Sequence, residues 1–217
     1  MKTLFKPLLV LAVTAIAFTS CMKDDSADRE AAQRQQEEAI AASLASDELK
    51  IEAYLAANPS EGWQEDDTEY PLTLIGKSPK RGFWFEVLET PTEEDDEAYT
   101  YEFSGQGYKA PKVKLTYTAS LLNGTEVQSE DAGDFDFATL ANNTTIYNQV
   151  WFSSFFPKTI RSNGEDYPVG GLTAKGLKKG SKIRVVAPSI WAFGSNKVGD
   201  IPANSPLVYE FEVLEIE

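Results

Sequence analysis

The chain has 217 residues, 42% hydrophobic and 12% aromatic, with 34 Asp and Glu against 20 Lys and Arg and a net charge of −14. That acidity excludes nucleic acid as a partner, because affinity for phosphates needs clustered Lys and Arg. With no histidine and a single cysteine, an intramolecular disulfide and serine–histidine, cysteine–histidine and most zinc chemistries fall away, so no metal and no cofactor is expected.

Lys2 and Lys6 precede an apolar stretch from Leu8 to Phe18 that runs into Thr19-Ser20-Cys21, the layout of a secretory signal over residues 1–20. The stretch is too short, and too closely followed by polar residues, for a stable membrane span. Cys21, after small residues, resembles a bacterial lipoprotein cleavage site, which implies an acylated mature N-terminus and contact with the membrane through that lipid anchor. An ordinary secretory signal that happens to contain a cysteine is the other reading. Met22-Lys23-Asp24-Asp25 resembles the export tag of Bacteroidetes surface lipoproteins. The expected location is therefore the cell envelope, as an outer-membrane lipoprotein, with periplasmic or surface display left open.

Residues 21–61 read as a tether and short helix. From 22 to 46 the chain is rich in Ala, Glu, Gln, Asp and Arg, a flexible or partly helical spacer. Ser46 or Asp47 then caps a helix with a modest apolar face of Leu49, Ile51, Tyr54 and Leu55, which Asn58-Pro59 stops. Residues 62–217 read as one domain of strands, among them Tyr70–Leu74 and Gly82–Leu88. The runs Glu65-Asp66-Asp67 and Glu93 to Glu97 lack the spacing of a calcium loop and are expected to be solvated loops. Lys112 to Ala119 alternates polar and apolar residues, Asn123-Gly124 is a hairpin turn signal, and a return strand begins at Thr125. The segment 141–166, with Trp151-Phe152 and Phe155-Phe156, is an apolar insertion expected to form a packed flap or a partner surface. A short helix is expected over 172–179, followed by the strand Ile183–Ala187, a loop opened by Pro188, and a closing strand from Leu207 to Ile216.

The order Gly176-Leu177, Lys179-Gly180-Ser181-Lys182, Ile183–Ala187, Pro188–Gly194, Ile201-Pro202, Leu207–Ile216 resembles the C-terminal half of FKBP-type peptidyl-prolyl cis-trans isomerases. The strand and turn over 112–127 match the family's N-terminal half, so the resemblance covers roughly residues 80–217. It implies an α+β, FKBP-like fold: a curved antiparallel sheet wrapped around one short helix, preceded by an N-terminal helical spacer. It also implies an aromatic cradle for a proline ring, with Tyr117, Phe135, Val169, Phe193, Ile201 and Tyr209 at its positions. Val127-Gln128 stand where the family has phenylalanine-aspartate, and Leu172 or Thr173 replaces the tryptophan of the pocket floor. Phe193 replaces a tyrosine whose hydroxyl would hold a substrate carbonyl, and Trp191 is a further pocket candidate. Taken singly, Phe135, Trp151 and Trp191 read better as packing of the sheet onto its helix.

Rotation about an X-Pro bond faces a barrier of about 20 kcal/mol, set by amide resonance, and an apolar hollow that favours the twisted imide needs no acid or base. Absence of histidine therefore costs such a function nothing. Two classes remain: a lipid-anchored isomerase assisting the folding of exported or outer-membrane proteins, acting on proline-containing polypeptides, and a non-catalytic FKBP-like module binding an envelope protein partner. Whether 141–166 extends or plugs the hollow separates them.

Overall fold

The computed structural model describes residues 25–104 and 107–217; the leader, Cys21 and Met22 to Asp24 of the export tag lie outside them. In chain order these form helix α1 (Asp25–Ala57), strands β1 (Gln64–Glu65) and β2 (Trp84–Glu89), helix α2 (Glu93–Ala98), and strands β3 (Phe103–Ser104) and β4 (Gly107–Tyr108). Strands β5 (Lys112–Leu121) and β6 (Glu126–Asp136) follow, then helices α3 (Phe137–Leu140) and α4 (Gln149–Phe155) and strands β7 (Thr159–Ser162) and β8 (Glu165–Pro168). Strand β9 (Lys182–Ala187), a 3-10 turn (Ser189–Trp191) and β10 (Leu207–Ile216) complete the chain.

Period-two alternation builds the sheet. In β5, Val113, Leu115, Tyr117 and Ala119 are buried while the residues between them are half-exposed, and β10 repeats this with Leu207, Tyr209, Phe211 and Val213. A one-residue slip would turn each set outward, so the register is firm: Tyr209 faces Ala119 and Phe211 faces Tyr117. The order is β1-β2-β9-β10-β5-β6, with each neighbouring pair antiparallel. Asn123-Gly124 makes the expected turn, with Gly124 at φ 83°, a conformation a side chain would strain. β6 bulges opposite Leu115 to Tyr117, where Ala132 takes φ 52°; such a bulge bends the strand. The sheet covers α4, whose Trp151 and Phe155 meet Phe211 of β10 at 5.0 and 5.3 Å.

This helix is not the one expected. Residues 172–179 form no helix, because Gly176 has φ 74° and lies so close to α4 that a Cβ there would be 2.5 Å from the Phe155 carbonyl oxygen. The segment caps α4 instead: Leu172 N–H donates to Ser153 O at 2.7 Å and Leu177 N–H to Phe155 O at 2.9 Å, satisfying carbonyls that the last turn of a helix leaves unpaired. The stretch 141–166 therefore contains the central helix and, beyond it, strand β7 and the start of β8.

Four further expectations change. α1 is one continuous helix, so Asp47 is not its cap but a buried acceptor, taking hydrogen bonds from Ser189 N at 2.8 Å and Ser189 Oγ at 2.5 Å. Leu44 and Ile51 are buried on the same side, and further back Glu37 accepts from the N–H groups of Leu74 and Ile75. The run Glu93 to Glu97 is not a loop but helix α2, capped by Thr92, with Asp95 paired to Lys179 and Asp96 to Lys175 and Lys178. Asp66 is not solvated: it is fully buried and meets Arg81 Nε at 2.7 Å. Tyr70–Leu74 contributes only the isolated bridge of Leu72 with Lys77.

Candidate aromatic site

Asn148 opens α4. Its side-chain oxygen accepts from Val150 N–H at 3.0 Å as an N-cap, and its Nδ2 donates to the Tyr209 hydroxyl at 2.8 Å. One short side chain thus fixes both the start of the helix and its distance from β10. Trp151, three residues on, is the floor of the site. Tyr117 stands edge-on to it at 4.9 Å and Phe135 lies tilted at 5.3 Å. Phe211 is 5.0 Å away, with Tyr209 stacked on Phe211 at 5.5 Å and 9°. These offset and edge-to-face geometries suit the ring quadrupoles.

The site is dry. Trp151 and Tyr209 are 0% exposed, Ile201 1% and Tyr117 3%. Burial pushes the Tyr209 hydroxyl above its ordinary range against the opposing hydrogen bond from Asn148. Burial, with Glu130 adding, raises Tyr117. Both remain neutral donors or acceptors at neutral pH. The Trp151 N–H is buried and meets no hydrogen-bond partner among the described residues. Nothing among the described residues here forms a general acid–base pair; the rings make a close-packed apolar cluster.

Of the residues expected at the cradle, the structure brings Tyr117, Phe135 and Tyr209 together around Trp151. Phe193 and Ile201 join the same continuous core from the loop between β9 and β10, Phe193 at 9% exposure. Val169 stands at the foot of the β7–β8 hairpin, its N–H on Lys158 O, whereas Val150 is fully buried next to Trp151. Val127 is half-buried on β6, and the Gln128 amide donates to Thr145 O at 2.6 Å. Leu172 and Thr173 belong to the loop that caps α4, and the tryptophan at the centre of the ring cluster is Trp151. Trp191 faces elsewhere: its Nε1 donates to Arg81 O at 2.7 Å and its ring stacks on Phe83.

Sequence reading missed Asn148, Phe211 and Arg81. Asn148 was findable as an N-cap before an apolar run. Arg81 carries no local signal, since its partners come from across the fold: besides Asp66, it donates to Gly170 O at 2.8 Å and lies 5.3 Å over the Phe83 ring.

The geometry defines an α+β domain whose antiparallel sheet closes over one central helix and an aromatic floor. No family model matches the chain. Its sequence is similar to an "FKBP-type peptidyl-prolyl cis-trans isomerase FkpA" of Buchnera aphidicola subsp. Schizaphis graminum, 44% identical over 115 residues, which are 52% of this chain and 37% of that one. The Escherichia coli (strain K12) protein of the same name is 29% identical over 130 residues, 57% of this chain and 47% of that one. The match thus spans less than half the length of either curated relative. A crystal structure of FkpA from Escherichia coli aligns with a TM-score of 0.46 at 19% identity, covering 91% of this chain and 75% of that one. Both sequence relatives carry the name of an FKBP-type peptidyl-prolyl cis-trans isomerase, and the similarity covers a little over half of this chain.

Proposed function

We propose that this protein is an FKBP-type peptidyl-prolyl cis-trans isomerase that acts on proline-containing polypeptides and assists the folding of exported proteins. In this reading an acylated Cys21 holds it to the outer membrane and α1 sets the domain off from the bilayer. The observation that carries the reading is the convergence of Tyr117, Phe135 and Phe211 on Trp151, within a chain similar to isomerases of this type. A proline ring held against such rings leaves water, and the imide loses less by twisting out of conjugation there than in water. No proton moves, in keeping with a chain that has no histidine.

Phe193 limits the rate. Where a tyrosine would donate to the substrate carbonyl, phenylalanine offers no hydroxyl, and a hydrogen bond gained only in the transition state is worth about 1–3 kcal/mol, roughly ten- to a hundredfold. The test is isomerisation of a short Xaa-Pro peptide by the purified protein. Weak turnover, raised by Phe193→Tyr, supports the reading. No turnover in either protein removes it.

A second reading, a non-catalytic FKBP-like module that binds an envelope protein, is favoured by one observation: the floor of the site is covered, with Trp151 and Tyr209 at 0% exposure. Inactivity of both proteins with retained binding of an unfolded chain would select it. The anchor is tested separately. Cys21→Ser should release the protein from the membrane fraction, and a mature chain found to begin elsewhere, unmodified, would remove the anchor.

A further inference from the structure

Phe103, Tyr108 and Tyr167 are 36%, 38% and 40% exposed, and they are not scattered. Phe103 on β3 lies 5.3 Å from Tyr108 on β4 and stands edge-on to Tyr167 on β8 at 5.4 Å. Tyr108 continues the row to Phe152 on the outer side of α4 at 5.8 Å, and at 5.6 Å it meets Phe156, the buried residue that ends α4. Two strand pairs that belong to separate small sheets therefore each contribute rings to one continuous surface. Contiguous exposed aromatics of this kind mark contact sites.

We infer that this row is a docking site for a short, extended segment of unfolded polypeptide carrying proline and large apolar side chains. Its size selects the occupant. Steps of 5.3 and 5.4 Å make a row on the order of 10 Å, the length of about three extended residues at ~3.3 Å each. Rings already more than half covered cannot supply the ~800 Å² per partner that a stable folded partner or second copy buries. Charge points the same way. The chain carries −14, and Glu165 and Asp166 stand on β8 beside Tyr167 and Arg161. A second copy is repelled, and a segment flanked by Lys or Arg is favoured. Proline-bearing extended chains lie well on aromatic surfaces because little ordering entropy is lost. The row is distinct from the cradle, whose rings lie on the opposite, buried side of α4, and it binds whether or not the cradle isomerises.

The experiment is fluorescence anisotropy of the full chain with a labelled nonapeptide, Pro-Leu-Phe between flanking lysines, and with the same peptide carrying serine at those three positions. Phe103→Ser with Tyr167→Ser should weaken binding of the first peptide at least about tenfold, to the level of the second, while Leu49→Ser, on exposed α1, leaves it unchanged. Should the double variant unfold, Tyr167→Lys alone, at an exposed hairpin position, is read by the same titration. Undiminished affinity in the folded variants overturns the proposal. So does binding lost in Trp151→Phe but kept in the double variant, which would move the segment into the cradle. Concentration-dependent self-association abolished by the double variant would make a second copy the occupant and overturn it equally. Isomerisation, followed separately on the same peptide, distinguishes failure of this surface from failure of the isomerase reading.

Discussion

The two sides of α4 carry the same kind of residue in opposite circumstances. Toward the sheet, Trp151 and Phe155 are fully buried, and rings from three strands close on them; on the outer side, Phe152 is half-exposed and runs into the open row of Tyr108, Phe103 and Tyr167. Aromatic content alone therefore says little about function. Burial on one side makes the rings a fold, and exposure on the other makes them a surface.

The sharpest way to break this comparison is to remove one ring from each side. Trp151→Ala should cost about 3–5 kcal/mol in a denaturant titration, for lost transfer energy and a cavity at the centre of the cluster. Tyr167→Ser should cost less than ~0.5 kcal/mol. Equal costs would show that the outer rings are core. A cost of similar size, about 3–5 kcal/mol, is expected for Arg81→Ala, because it strands the buried Asp66 carboxylate; Arg81→Met with Asp66→Leu should recover most of that loss.

Asn148→Ala tests the hinge between the sides. It deletes the α4 cap and the donor to the Tyr209 hydroxyl, and should cost about 1–3 kcal/mol. Asn148→Asp keeps the cap and should recover part of it. The smallest effect is electrostatic. Asp96 has its carboxyl lowered from 3.8, first by the hydrogen bond from Lys175. A lowered folded value means that its contribution is present above the ordinary carboxyl range and lost as pH falls through the lowered value. The melting temperature should therefore fall slightly less between pH 5 and pH 3 in Asp96→Asn than in the parent. An identical or steeper fall would show that the α2 contact is not held by charge.

Strands β5, β9 and β10 were legible because each is decided locally: alternation marks the half-buried β5, and an apolar run with Pro188 marks the end of β9. The Asn123-Gly124 turn is equally local. The central helix was misplaced because the family resemblance put it at 172–179, yet Gly176 is there to let the chain pass against the end of α4, which only the fold reveals. The same holds for the buried carboxylates. Asp47 looks like a cap in sequence, but its partner Ser189 is 142 residues away, and nothing near Asp66 announces Arg81. The cradle was half legible: the family resemblance points to Tyr117, Phe135 and Tyr209, while Trp151 was hidden in a segment that looked like an insertion.

The strand order also sets when this chain can fold. β9 and β10 lie at the middle of the sheet, joining β2 on one flank to β5 on the other, yet both follow those flanking strands in the chain. A nascent chain ending before Lys182 holds, of this six-stranded sheet, only the pairs β1–β2 and β5–β6, with no strand between them. Such two-stranded pieces are marginal in water. Completion of the sheet therefore waits for β9 and β10, the two strands that bridge its flanks.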